Sequence, residues 1–460
     1  MALQPATPPP SSGTPASQAG MPPTTQRPLK VLLVNTSSHT GGAAIAALRL
    51  LRALHKRGVQ ARMLCRDTQP EGEEGGVLAL KPTLWRKAKF ALERAEIMLR
   101  NGFSREGLWS VDTARFGNDI TRLPEFAEAD VVHLHWTNQA MLSLADLRRI
   151  MHSGKRVVWT MHDMWPFTGI CHQSEACTRW LTGCGRCPML QRPADHDLSA
   201  ITFARKRKVY AQGRLHMVGC SRWLTDLAQQ APLLQGQPVH CIPNPIDTDF
   251  YAPSHKIEDT REALSLPLDK RILFFTAFRV TDPRKGIDYL TEALTLLCQE
   301  HPEWREQAVI VLAGKGCEEL LHAFPIKAIG MGYITDEAKM RRLYQAADVL
   351  LMPTLCDNLP NTIVEAMACG TPCVGFDIGG VPQMIDHGVN GYLAQFRNSL
   401  DFAHGIHALL ASPNRQALRR NARSKALNTY SESAVADKYL EVYTTPSSAC
   451  HCHIAYPFFC

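Results

Sequence analysis

Two carboxylates eight residues apart, Asp357 and Glu365, bracket the segment DNLPNTIVE. Carboxylates accept hydrogen bonds from sugar and ribose hydroxyls, and the free amides at the start of a helix suit a phosphate. Hydroxyls together with phosphates describe a nucleotide sugar. Two other groups offer matching chemistry. Arg279 and Lys285 flank a turn closed by Gly286, and their charge can offset the negative charge that builds on a diphosphate leaving group. Gly41 and Gly42 keep side chains out of the space before a helix, so that a phosphate can reach its N-terminus. His162 stands near the carboxyl end of the run RVVWTMHD, and Cys171, Cys177, Cys184 and Cys187 follow it in a C-x5-C-x6-C-x2-C pattern. Four thiolates so spaced can close a tetrahedral structural zinc site, with a redox pair or two disulfides as the competing chemistry.

Elements of regular structure must bring these groups together. DVLLMP, from Asp348 to Pro353, reads as a buried parallel strand, and the helix after it carries Ile363, Val364 and Met367 on its apolar face. LKVLLVN, from Leu29 to Asn35, is a second such strand, joined through Gly41-Gly42 to a helix with Ile45, Leu48 and Leu51 on one face. Val59 to Arg66, ADVVHLHW, RVVWTMHD, LHMVGC and VHCI continue the first alternation, and RILFFTA, AVIVLAG and PIKAIG open another. The pattern predicts an α/β fold of two Rossmann-like, doubly wound domains facing across a cleft. Ligands then bind at the carboxyl ends of the strands, where His162 and Gly314 stand; Gly314 would allow close backbone approach to a nucleotide.

Length and composition set the frame. At 460 residues the chain exceeds one typical core. The expected organisation is a Pro/Ser/Thr-rich leader over 1–28 and a first domain over 29–250 with a Cys-rich insertion at 163–190. A second domain covers 251–428, a helix at 429–445 crosses back, and 446–460 is a tail. A net charge of +7 at this length comes from local basic stretches and gives no reason to expect a nucleic-acid partner. The longest apolar runs are far too short to span a membrane. No apolar signal-peptide core follows the first residue, so a cytoplasmic location with reduced thiols is expected. From Lys81 to Arg100 the chain has helical periodicity, with Leu84, Trp85, Ala88, Leu92 and Ala95 near one side and most basic residues elsewhere. Such a helix either rests on an anionic membrane surface or packs as an ordinary surface helix.

The order of an acidic residue, seven intervening residues, Glu-Ala-Met-Ala, Gly-x-Pro and Gly-Gly in TLCDNLPNTIVEAMACGTPCVGFDIGG resembles the donor-binding signature of family 4 retaining glycosyltransferases, which have the GT-B fold. That family usually has Glu followed by Gly-Phe-Gly where this chain has Asp357 followed by Asn358, Leu359, Pro360 and Asn361. The resemblance implies transfer of a sugar from a nucleoside-diphosphate sugar to an acceptor hydroxyl with retention, without a catalytic metal. It places Arg279 and Lys285 on the donor diphosphate with the Gly41 and Gly42 amides, Glu365 on the ribose, and Asp357 and His162 on the donor sugar. It also places Asn358, Leu359, Pro360, Asn361 and Gly314 around the donor and the backbone up to Ile334 beside the base. By family habit the acceptor is a saccharide, lipid-linked, at the inner face of the cytoplasmic membrane, in surface polysaccharide or lipopolysaccharide assembly. Trp165, Phe167 and Trp180 are expected to line its site. A sugar-nucleotide epimerase of the same fold and a zinc-organised binding protein without catalysis are the other readings.

Overall fold

The computed structural model describes residues 27–67, 75–105 and 107–446. The expected leader, up to residue 26, and the tail from 447 lie outside the described residues.

Uninterrupted apolar runs such as VLLV and ILFF cannot keep one face wet, so their strands pair in parallel under cover on both sides. The first sheet contains β1 (Lys30–Ser37), β2 (Gln60–Asp67), β3 (Val77–Ala79), β4 (Val131–Leu134), β5 (Arg156–Met161), β6 (His216–Gly219) and β7 (Val239–Cys241). Its order is β3-β2-β1-β4-β5-β6-β7. The second sheet contains β8 (Arg271–Arg279), β9 (Ala308–Lys315), β10 (Lys327–Gly330), β11 (Val349–Met352), β12 (Cys373–Phe376) and β13 (Gly391–Ala394), in the order β10-β9-β8-β11-β12-β13. Each sheet therefore reverses direction once, at β1/β4 and at β8/β11. Loops part at those points and leave a crevice at the carboxyl edge, where this architecture holds ligands.

Each sheet has an apolar layer on both faces. Trp165, Phe167 and Trp180 are 2%, 0% and 5% exposed and belong to one layer of the first sheet. The expectation that they line an acceptor site is corrected: their large apolar area is spent on the core.

The last helix, Glu432–Thr444, belongs to the first sheet's other layer, where Val435, Tyr439, Val442 and Tyr443 join Val31, Val158 and Val218. Its phenols reach deeper polar groups, with Tyr443 Oη 2.6 Å from His133 Nδ1 and Tyr439 Oη 2.8 Å from Thr160 Oγ1. The end of the chain thus ties the second domain to the first. No helix among the described residues is long and apolar enough to cross a membrane.

Candidate active site

Two helices point bare N-termini at one crevice. Helix α1 (Gly42–Lys56) begins after Gly41, and the helix Asn361–Ala368 begins after Pro360; neither has a side-chain cap. Among helices that start elsewhere, those after Thr83, Ser143, Asp197 and Ser221 have one, each accepting a hydrogen bond from the backbone of the first turn, while those after Lys256, Gly286 and Asn414 do not. An uncapped N-terminus keeps its donors and the positive end of its dipole for an anion. Gly41 adopts φ +88°, and a Cβ built there would meet nothing within 4 Å, so the space before α1 is open. The two termini come together where Asn361 Nδ2 donates to the Gly42 carbonyl at 3.4 Å.

The crevice is a cavity of about 510 Å³ between the domains. The first domain lines it with Gly41 and Gly42, with Asn35 and Asp67 from the ends of β1 and β2, with Trp136 and Gln139 after β4, and with His162, Asp163 and Gln173 after β5. The second domain contributes Asp357, Asn358, Leu359, Pro360 and Asn361. The structure therefore gathers eight of the expected site residues on one wall system: Gly41, Gly42, His162 and the run 357–361.

Others are placed differently. Lys285 reaches the crevice through Asp357, its Nζ 2.6 Å from Oδ2, and Thr354 Oγ1 donates to the same oxygen at 2.9 Å. Arg279 is exposed at the end of β8 and makes no ion pair among the described residues. Glu365 is not on the cavity wall. Its Oε1 accepts from Arg49 Nη2 at 2.7 Å and its Oε2 from Tyr344 Oη at 2.7 Å. Burial opposes the charge on Arg49, but the Glu365 carboxylate outweighs it and raises the guanidinium above its ordinary range. Asn358 spends its side chain across the interface: its Nδ2 donates to the His162 carbonyl at 3.1 Å and contacts Cys220 Sγ at 2.9 Å, and its Oδ1 accepts from Ser221. Leu359 joins the second domain's core, and Ile334 packs against it. Gly314 is needed by the protein's own backbone: a Cβ there would sit 2.0 Å from the Ala277 carbonyl oxygen. Close approach of β8 therefore requires glycine at this position.

A buried chain of imidazoles backs His162. Its Nε2 lies 3.0 Å from His135 Nδ1, and the tilted ring of His133 packs beside His135 with ring centroids 4.2 Å apart. Burial lowers His162 to about 4 and His133 to about 3, and it also depresses His135. All three are neutral at pH 7, so His162 offers a hydrogen bond rather than a positive charge. Asp163 is held below the usual carboxylate range: burial works against it, but the charge and hydrogen bond of His172 and the donors of Trp165 and Trp136 prevail.

Cys171, Cys177, Cys184 and Cys187 line one small cavity of about 20 Å³, and all four are free. Among the described residues, however, no group of three or more His, Cys, Asp or Glu side chains is arranged to hold a metal ion.

Sequence reasoning missed Arg49, Trp136 and Asp163. Arg49 left one signal, an arginine flanked at i−3 and i+4 by Ala46 and Ala53, both buried with it on α1. Trp136 and Asp163 lie just past the ends of β4 and β5, and the strand-end rule that selected His162 applies equally to them.

Comparisons with known proteins agree with this geometry. The family described as Glycosyltransferase Family 4 matches residues 40–250, and the family described as Glycosyl transferases group 1 matches residues 269–412. A glycosyltransferase of Methanocaldococcus jannaschii, MJ1607, is 25% identical over 76% of this chain and 91% of its own length. WcaC of Escherichia coli (strain K12), whose name assigns it to colanic acid biosynthesis, is 25% identical over 75% of this chain and 82% of its own. The crystal structure of Anabaena Alr3699/HepE with UDP-glucose shares the fold at a TM-score of 0.60 and 16% identity, covering 91% of this chain and all of that one. With both halves matched and the two sheets meeting at one crevice, the chain belongs to the group 1, family 4 glycosyltransferases and is an enzyme of the GT-B fold.

Proposed function

We propose that this glycosyltransferase moves a sugar from a nucleoside-diphosphate sugar to a hydroxyl of a lipid-linked saccharide, with retention, in surface polysaccharide or lipopolysaccharide assembly. The observation that carries the reading is the pair of uncapped helix N-termini, one from each domain, facing each other across a crevice that also holds the Lys285–Asp357 pair. The bound UDP-glucose of the Anabaena structure and the biosynthetic role in the WcaC name support the donor class and the pathway type.

In this reading the Gly41 and Gly42 amides and the Lys285 and Arg279 cations hold the diphosphate. They stabilise it most when the bond from the anomeric carbon to the leaving oxygen breaks and negative charge gathers there. The new bond forms to the acceptor oxygen on the same face, and the acceptor proton passes to a diphosphate oxygen. Asp357, released from Lys285 once the diphosphate takes that cation, accepts a hydrogen bond from a donor hydroxyl, and neutral His162 contacts the sugar. Glu365 meets the ribose only through a lone pair that its Arg49 and Tyr344 contacts leave unused.

The test is a panel of nucleoside diphosphates and nucleotide sugars in a thermal-shift assay, followed by NMR of the product anomer. A selective upward shift that Lys285→Ala removes supports the donor site, because a ligand that binds the folded state stabilises it. Folded protein that no nucleotide shifts sinks the reading, and an inverted anomer removes retention. Structural zinc in the cysteine loop remains a separate proposal, measured as metal per purified chain; a metal-free, folded protein rejects it.

A further inference from the structure

Helix α2 (Leu84–Arg100) is built inside out. Its inward side holds Glu93, Arg94 and Ile97, all buried, and Arg94 donates to Asp112 Oδ2 at 2.9 Å and to the Leu108 carbonyl at 2.6 Å. Its outward side carries Leu84, Leu92 and Leu99 in one stripe, at i, i+8 and i+15, with Trp85 beside them. Leu84 is 87% exposed and Trp85 65%, and just past the helix Phe103 is 71% exposed. Exposed leucine, phenylalanine and tryptophan in one contiguous stretch mark a surface that something covers.

Charge identifies what covers it. Between residues 81 and 105 the sequence has seven basic and two acidic residues. Neither acid opposes an anionic partner: Glu93 is fully buried and Glu96 pairs with Arg115 at 2.8 Å. Lys81, Lys87 and Arg105 are exposed beside the apolar stripe. An apolar face with a tryptophan, Trp85, at its border and cations around it matches a lipid surface with negative headgroups, in whose plane such a helix lies.

The surface adjoins the crevice. The Arg66 guanidinium sits 5.1 Å from the ring centroid of Phe90, on the inner side of α2, and donates to the Gln139 carbonyl. Gln139 and Asp67 line the cavity. One residue therefore separates the back of α2 from the first-domain end of the site.

We infer that the outward face of α2, with Phe103, docks the enzyme on an anionic bilayer, so that a lipid-linked acceptor enters the crevice from its first-domain end. The acceptor's route rests on the function proposed above; the docking itself does not.

Sedimentation of the full chain with vesicles tests it, using phosphatidylcholine alone and phosphatidylcholine with about one third phosphatidylglycerol. Wild-type protein should partition at least about tenfold better onto the anionic vesicles and leave them as salt rises. The triple variant Trp85→Ser, Leu92→Ser, Leu99→Ser should lose about tenfold or more of that binding, and Lys87→Glu roughly fivefold or more. An unchanged nucleotide-induced thermal shift in both variants establishes that they are folded. Equal, weak partition of the wild type onto both vesicles overturns the inference, as does a triple variant that binds like the wild type. A dimer in light scattering that the triple variant abolishes assigns the face to a second copy and overturns it too. Loss of the nucleotide shift in the wild type would count against the transfer reading and leave the docking result standing.

Discussion

Asp357 and Glu365 belong to one short segment, yet the structure gives them opposite surroundings. Asp357 stands on the cavity wall, about a quarter exposed, with Lys285 as its partner from the same domain. Glu365 lies inside the domain interface, where Arg49 of the first domain and Tyr344 of the second occupy both its oxygens. The difference teaches that a signature can combine a group free to meet substrate with a group that holds the halves of the site together. The glycine pair that ends the motif serves the same assembly. Gly379 has φ +57°, and a Cβ on Gly380 would meet the Asn358 carbonyl oxygen at 1.8 Å, so only glycine lets this loop close under the 357–358 turn.

Unequal substitutions break the comparison most clearly. Glu365→Ala leaves the buried Arg49 charge unpaired and should cost about 3–5 kcal/mol of stability, read from urea unfolding. Replacing both partners with methionine should restore most of that, because the cost lies in the orphaned charge. A small loss in the single variant would mean that water reaches Arg49 and that the pair does not lock the domains. Lys285→Ala should instead leave unfolding nearly unchanged and lower kcat about 10²–10³-fold, the scale of losing one aimed group on a leaving oxygen. An equal fall in stability would place Lys285 with Glu365 as scaffold.

The imidazole chain sharpens the comparison through pH. His133 and His162 have folded values near 3 and 4, while an unfolded histidine titrates near about 6.5. Below about pH 6.5 the unfolded chain therefore binds more protons than the folded one, and stability falls as pH drops toward about 4. Each such histidine contributes a slope of up to about 1.4 kcal/mol per pH unit. Thermal unfolding across that window should show the loss, and His133→Gln should flatten it. The smallest effect is expected at Asp357→Asn: about 1 kcal/mol or less in stability, because its ion pair is partly exposed, against a clear loss of transfer rate.

Much of this was legible in the chain. Apolar runs such as VLLV and ILFF, with helical spacing between them, require buried parallel strands and covering helices whatever the rest of the protein does. The segment from Asp357 to Gly380 identifies the second domain's cavity wall because its parts are consecutive and act locally: strand end, uncapped helix start and glycine turn. The first domain's wall was less legible because Trp136, Gln139 and Asp163 follow different strands and become neighbours only when the sheet orders β4 beside β5.

The sequence by itself determined the two alternations and the 357–361 run that lines the crevice between them, since each depends on short-range pattern. Only the tertiary structure decided which charged groups face each other. Arg49 meets Glu365 across 316 positions of chain, and Lys285 meets Asp357 across 72. It alone decided that Trp165, Phe167 and Trp180 are core while the leucines of α2 face outward. Periodicity states that a helix has two faces, but what lies against each face is set by the packing of distant segments.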